Sequence, residues 1–308
     1  MRIILSGASG LIGSRFEELM YENHEIIPLS SEHGVDITNT ASLSEFFLGK
    51  GVDAVIHLAA KTDVDACETD KEDDMAHLAI DPAEILNLDV VNLFSEDWHD
   101  KKTAFAVNTI GTKNLYETSI RVGAKFVYIS TDFVFSGKED SYSEESTPNP
   151  VDWYGMTKYF GEKVVDVSSN LIVRLSFPYG FKSPVKKDVL WRLYDLMNSK
   201  GEVSLIADQV ITPTFIDDIV NGLDFLLSKN ASGVYHLTGS SSVSPMQIGE
   251  KIKQAFDLTT NIIPADLDDV YRAKAPRPGK SVMNNEKIAN LGFKTKTFDE
   301  GLALIKTT

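Results

Sequence analysis

Short apolar runs separated by amphipathic stretches fill the first half of the chain. Arg2–Ser6, Glu25–Leu29, Ala54–Leu58, Lys125–Ser130 and Leu171–Leu175 are rich in Ile and Val and too short for helices, so each predicts a buried strand. Between them, Ile12–Tyr21, Thr109–Val122 and Tyr154–Val167 carry apolar residues at helical spacing. Strands alternating with helices predict an α/β fold: a doubly wound parallel sheet, covered on both faces and connected by right-handed crossovers. Beyond about residue 175 the pattern loosens, with Pro178, Pro184, Pro213, Pro245, Pro264, Pro276 and Pro278 interrupting shorter elements. The expected division is 1–175 for the sheet domain and 176–308 for a smaller, irregular region that partly returns to the sheet.

One segment, about 69–100, departs from this alternation. It is acidic at both ends (Asp70, Glu72, Asp73, Asp74; Glu96, Asp97, Asp100), with Ile85, Leu86, Leu88, Val90, Val91 and Leu93 between. This predicts an amphipathic helix over 82–94 with acidic flanks. A surface excursion packed on its own body is the expected role, with a lid or a subunit contact as alternatives.

Composition narrows the partners. A net charge of -15 argues against nucleic acid, whose phosphates demand clustered Lys and Arg, but leaves room for a small anionic ligand. The single cysteine, Cys67, excludes an internal disulfide and fits a reducing compartment. No Cys/His spacing suits a structural zinc, so no metal is expected. The absence of a signal-like N-terminus or a long apolar run leads to the expectation of a soluble, cytoplasmic protein without a membrane partner.

Arg2-Ile3-Ile4-Leu5-Ser6-Gly7-Ala8-Ser9-Gly10-Leu11-Ile12-Gly13 reads as strand, glycine turn and helix start. Glycines let the chain turn sharply and bring its backbone against a pyrophosphate, which the helix N-terminus then stabilises. The domain 1–175 is therefore expected to be a Rossmann-type NAD(P)-binding domain, with Gly7, Ser9, Gly10, Leu11, Ile12 and Gly13 around the cofactor. The Gly-x-x-Gly-x-x-Gly spacing resembles the extended short-chain dehydrogenase/reductase family. By that resemblance Asp36-Ile37, after a short third strand, would bind the adenine. Leu58, Ala59, Ala60 and Thr62 would approach the nicotinamide half, and Asn108 would be a structural residue opening the next helix. The second strand ends Leu29-Ser30-Ser31, with Glu32 one step on and Arg15 nearby. Small hydroxyls such as Ser30 tolerate a 2′-phosphate, so NADP(H) is favoured over NAD(H), with use of both compatible.

Tyr154-Gly155-Met156-Thr157-Lys158 places a Tyr and a Lys on one helical face, and Ser130-Thr131 closes the preceding strand. A lysine cation favours the phenolate and brings tyrosine towards working pH. Tyr154 is thus expected to protonate a carbonyl being reduced, with Lys158 lowering its pKa and holding the nicotinamide ribose. The Thr131 hydroxyl would bind the substrate oxygen.

Four stretches resemble the dTDP-4-dehydrorhamnose reductases: Ala59-Ala60-Lys61-Thr62-Asp63-Val64-Asp65-Ala66-Cys67-Glu68, Ser130-Thr131-Asp132-Phe133-Val134-Phe135-Ser136-Gly137, Asp208-Gln209-Val210-Ile211-Thr212-Pro213-Thr214 and Ala275-Pro276-Arg277-Pro278-Gly279-Lys280-Ser281. The resemblance implies NAD(P)H-dependent reduction at C4 of a nucleotide-linked 4-keto-6-deoxysugar. Thr131, Asp132, Phe177 and Arg277 would be the sugar-nucleotide contacts, region 176–308 would bind the substrate, and a homodimer is left open. Met156 and Phe177 depart from the group, which has Arg and Trp there. A 4,6-dehydratase is disfavoured because Phe133 stands where that family has its Glu. A sugar-nucleotide epimerase with the same triad, and a non-catalytic binding subunit resembling the methionine adenosyltransferase regulatory subunit, are the alternatives.

Overall fold

The computed structural model describes residues 1–30, 34–184 and 186–307. The strands are β1 (Arg2–Ser6), β2 (Glu25–Leu29), β3 (Ala54–His57), β4 (Lys125–Thr131), β5 (Leu171–Leu175), β6 (Pro178–Tyr179), β7 (Glu202–Ile206), β8 (Thr214–Phe215), β9 (Gly233–His236) and β10 (Asn261–Ala265). The helices are α1 (Leu11–Met20), α2 (Thr40–Phe47), α3 (Val64–Leu78), α4 (Gly111–Arg121), α5 (Trp153–Val164), α6 (Val189–Ser199), α7 (Ile216–Ser228), α8 (Pro245–Ala255), α9 (Leu267–Tyr271), α10 (Glu286–Asn290) and α11 (Phe298–Lys306). Six strands form the expected parallel sheet in the order β2-β1-β3-β4-β5-β9. The middles of its central strands are apolar, with Ile3, Ile4, Leu5, Val55 and Ile56 fully buried, because helices cover both faces.

The chain divides into two compact units. The first comprises 1–130, 152–173 and 231–234; the second comprises 131–151, 174–230 and 235–308. The first is organised on a core in which Phe105, Phe126, Tyr128, Trp153 and Phe160 are fully or almost fully buried. In the second, β6 pairs with β8 and β7 with β10, and Tyr179, Leu205, Phe215, Ile248 and Phe298 form the core. Among the described residues no helix is long and apolar enough to cross a membrane.

The helix expected over 82–94 does not form. α3 ends at Leu78, and three short 3-10 turns follow at Pro82–Asn87, Val90–Asn92 and Ser95–Trp98. Short polar side chains bond locally here and compete with a helix: Asp81 accepts from Ala83 N at 2.8 Å and Asn92 donates to Asp89 at 2.7 Å. The Lys163 ammonium also donates to the carbonyls of Leu86 (3.2 Å) and Leu88 (2.8 Å), taking acceptors that a continuous helix would need. Val90 and Trp98 are buried in the core of the first unit, with the Trp98 ring 4.7 Å from that of Phe105. The segment thus lies against its own unit. Between β2 and Asp36 the described residues hold no strand, and residues 31–33, on which the expected short third strand falls, lie outside the described residues. Asn108 lies within a widened π turn, Ala106–Ile110, that leads into α4.

Candidate active site

In the first unit, β1 runs into the glycine turn and then α1. Gly7 has φ +74°, the left-handed region, and a Cβ there would sit 2.7 Å from Ala59 N. A Cβ on Gly13 would collide with the carbonyl oxygen of Gly7 and lie 2.7 Å from Ala8 Cα. Gly10 is the N-cap of α1, its own N–H donating to Gly7 O at 2.9 Å. No side chain caps this helix and its first turn holds no acid, so backbone N–H groups and the positive dipole end stay available for an anion. Ser9 is exposed, and Leu11 and Ile12 are half-buried.

Asp36 is tied down on both oxygens. Thr38 N and Thr38 Oγ1 each donate to Oδ1 at 2.9 Å, and Lys102 pairs with Oδ2. Burial opposes ionisation, but Lys102 and Thr38 outweigh it and hold the carboxyl below its ordinary range. Ile37 is turned into the core against Gly111, where an added Cβ would lie 2.6 Å from Ile37 Cδ1. Ser30 is half-buried at the end of β2, and the Arg15 guanidinium pairs with Glu18 at 2.8 Å. Ser31 and Glu32, which bear on the 2′-phosphate, lie outside the described residues.

A chain of buried polar groups, whose pairing no local signal in the sequence reveals, runs through this unit. Ala59 N donates to Ser6 Oγ (3.3 Å), Ser6 Oγ meets His57 Nδ1 (2.6 Å), His57 Nε2 meets Thr112 Oγ1 (3.0 Å), and Thr112 donates to Asn108 O (2.7 Å). Since Thr112 spends its proton on Asn108, His57 carries its own on Nε2 and accepts from Ser6 at Nδ1. Burial, reinforced by the Lys158 charge, pushes the His57 pKa down to about 3, so the ring is neutral. The Asn108 side chain clamps the loop after β3, accepting from Lys61 N at 2.8 Å and donating to Lys61 O at 3.0 Å. It also donates to Thr157 Oγ1 on α5 at 3.0 Å. Leu58, Ala59 and Ala60 are half-buried and Thr62 is exposed on that loop.

Helix α5 starts at an Asp152 cap that accepts from Gly155 N at 2.8 Å. It presents Tyr154 half-buried and Lys158 buried. Lys158 Nζ donates to Ile129 O at 2.7 Å and lies 4.2 Å from the centre of the Tyr128 ring. Burial drives its pKa down to about 7, with Glu162 partly opposing. The next residue on β4, Ser130, has a buried Oγ with no hydrogen-bond partner. The glycine cradle and the uncapped helix suit a dinucleotide pyrophosphate.

Thr131 is the first residue of the second unit. Its hydroxyl donates to Asp132 Oδ1 at 3.1 Å and accepts from Phe133 N at 3.3 Å. Asp132, only 2% exposed, also accepts at Oδ2 from Ser176 Oγ (2.9 Å) and Ser281 Oγ (2.6 Å). Burial pushes its pKa up to about 6 against these bonds. Phe177 is half-buried with φ +38°, a strained value for a residue with a side chain, and its ring centre is 6.2 Å from that of Phe133. Arg277 donates to Ala275 O at 2.7 Å, with its guanidinium 4.6 Å from the Tyr271 ring centre. No group of His, Cys, Asp and Glu that could hold a metal occurs among the described residues.

The chain matches the family described as RmlD substrate binding domain over residues 1–88 and 95–307. It is 28% identical to the spore coat polysaccharide biosynthesis protein SpsK of Bacillus subtilis, with 98% of this chain and 95% of that protein covered. It is 30% identical to the probable low-salt glycan biosynthesis reductase Agl14 of Haloferax volcanii, covering 99% and 97%. The crystal structure of dTDP-4-dehydrorhamnose reductase from Bacillus anthracis in complex with NADP superposes with a TM-score of 0.83 at 29% identity, covering 99% of this chain and 98% of that one.

Proposed function

From the premise that this chain belongs to the RmlD substrate binding domain family and is an NAD(P)-dependent oxidoreductase acting on a sugar nucleotide, we propose that it reduces the C4 keto group of a nucleotide-linked 4-keto-6-deoxysugar, with NADPH preferred. The observation that carries the catalytic assignment is the Lys158 ammonium, buried one helical turn from Tyr154 and fixed on Ile129 O at 2.7 Å.

In this reading Gly7, Gly10 and Gly13 admit the pyrophosphate, the N–H groups opening α1 bind it, and Asp36 and the Leu58–Thr62 loop line the remainder. When bound, the nicotinamide supplies the hydride. Tyr154 donates the proton to the oxygen as it becomes an alkoxide, a role that contributes about 10²- to 10⁴-fold in rate. Lys158, while charged, favours the Tyr154 phenolate left behind. Thr131, Phe177 and Arg277 contact the sugar nucleotide, the Thr131 hydroxyl turning its proton from Asp132 to the substrate oxygen.

The test is NADPH oxidation with dTDP-, UDP- and GDP-linked 4-keto-6-deoxysugars. Stoichiometric consumption is expected, whereas an epimerase or a non-catalytic binding subunit consumes none. Tyr154→Phe is expected to bind NADPH as the parent does and to lose turnover. Turnover near the parent level refutes the assignment.

A further inference from the structure

Asp132 was expected among the substrate contacts, yet its carboxylate has no free face. One oxygen receives the Thr131 hydroxyl and the other receives those of Ser176 and Ser281, at 2.9 and 2.6 Å. The residue is 2% exposed. These three donors come from three separate stretches of the second unit. Thr131 ends β4, Ser176 follows β5, and Ser281 is held by its own N–H on Val210 O at 2.9 Å. Each stretch carries a residue of the proposed substrate site: Thr131 itself, Phe177 immediately after Ser176, and Arg277 four residues before Ser281. Ser176 is braced further, since its carbonyl accepts from Thr214 Oγ1 at 2.7 Å, and Phe177 O accepts from Thr214 N at 3.2 Å. That bracing holds Phe177 in its left-handed conformation.

A carboxylate buried among three hydroxyls is acceptor-only, so it dictates where each proton points. It holds Thr131 Oγ1 through the hydroxyl's one proton, which turns to the substrate oxygen when that oxygen binds, and it ties the Ser176 and Ser281 stretches to Thr131. An amide in its place keeps one acceptor but turns NH₂ donors towards hydroxyls that already donate.

We propose that Asp132 is a positioning residue for the reduction, acting through the Thr131 hydroxyl and through the Ser176 and Ser281 stretches, rather than a contact to the sugar. The role rests on the reductase reading above.

The experiment compares kcat and KM of the parent, Asp132→Asn, Thr131→Val, the double variant, Ser176→Ala and Ser281→Ala, each with its NADPH binding stoichiometry measured by fluorescence. Asp132→Asn is expected to lower kcat about tenfold to a hundredfold, as misplacing a reacting group does, with NADPH stoichiometry and KM for NADPH unchanged. The double variant is expected to lose less than the product of the two single losses, because part of the Asp132 effect runs through that hydroxyl. Ser176→Ala and Ser281→Ala, which leave Asp132 and Thr131 in place, are expected to lower kcat by smaller factors. Independent, multiplying losses in the double variant overturn the proposal, as does a rise confined to KM for the sugar nucleotide. A kcat loss that merely tracks lost NADPH stoichiometry also overturns it, since the role is then structural. If the parent consumes no NADPH with any keto sugar nucleotide, the reductase reading falls and the role falls with it. If the parent turns over and Asp132→Asn keeps its kcat, only the role falls.

Discussion

Lys158→Met should make the protein more stable and inactive at once. The ammonium lies in the core of the first unit, and its pKa drops from 10.5 to about 7 because burial penalises the charge. Such a drop corresponds to a penalty of about 5 kcal/mol on the charged form. Methionine fills a similar volume without charge. The variant gives up the bond to Ile129 O and the contact over the Tyr128 ring, together worth about 2 kcal/mol. The net gain at pH 6 is therefore about 3 kcal/mol.

The sign of the pH dependence follows from linkage. Between pH 7 and 10.5 the unfolded chain holds a proton on Lys158 that the folded chain has released, so folding is favoured as pH rises. The penalty of about 5 kcal/mol at pH 6 falls to about 2 kcal/mol at pH 9, where the parent and the variant should converge. Urea denaturation followed by tryptophan fluorescence at pH 6 and pH 9 measures both quantities, and NADPH oxidation measures the loss of turnover. A variant less stable than the parent at pH 6, or a stability difference that does not change with pH, refutes the reasoning.

Further outcomes follow from the same geometry. In the free enzyme the cation is lost above about pH 7, so log kcat/KM should decline through that value on the alkaline side; a flat profile to pH 9 contradicts it. Gly13→Ala, whose Cβ would collide with Gly7 O, should abolish NADPH binding and destabilise by more than about 2 kcal/mol, measurable by titration and by thermal unfolding. Asp74→Ala should cost about 3 kcal/mol, because Phe105 N and Trp153 Nε1, now 3.0 and 2.8 Å from its Oδ2, would lose a buried acceptor. A loss under about 1 kcal/mol in urea denaturation would show that water replaces the carboxylate.

What was legible depended on how local the cause was. The strands of the sheet were readable because helices on both faces leave no polar position in a run such as Ile3-Ile4-Leu5. The glycine turn was readable because no other residue tolerates a Cβ within 2.7 Å of Ala59 N at φ +74°. The 82–94 stretch misled because its apolar spacing suits a helix, while Asp81, Asp89 and Lys163 take the backbone elsewhere, and Lys163 lies some 75 residues on. Asp132 carried a recognisable motif, but nothing local reveals that Ser176 and Ser281 close around it. His57 had a visible signal, a lone histidine ending the apolar strand Ala54-Val55-Ile56-His57, yet its partners Ser6 and Thr112 come from other elements.

Those partners explain why the first unit tolerates so many polar side chains in its core. Ser6, His57, Asn108, Thr112 and Thr157 are nearly or wholly buried, and leaving any of them unpaired would cost about 1–3 kcal/mol each. Instead the donors line up in one direction from Ala59 N to the carbonyl of Asn108, which lies in the π turn. A fully satisfied network of this kind rigidifies more than it stabilises. It links the β1 residue before Gly7 to the residue whose side chain holds both Lys61 and Thr157. The glycine turn, the loop after β3 and the helix carrying Tyr154 and Lys158 therefore share one hydrogen-bonded frame. In the proposed function, binding and proton transfer both need these elements in register before the substrate arrives, which is a reason to hold polar groups in a core that apolar ones could fill. The neutrality of His57 belongs to the same design, because a protonated ring would have no acceptor left for Ser6 and would stand as a second cation near Lys158.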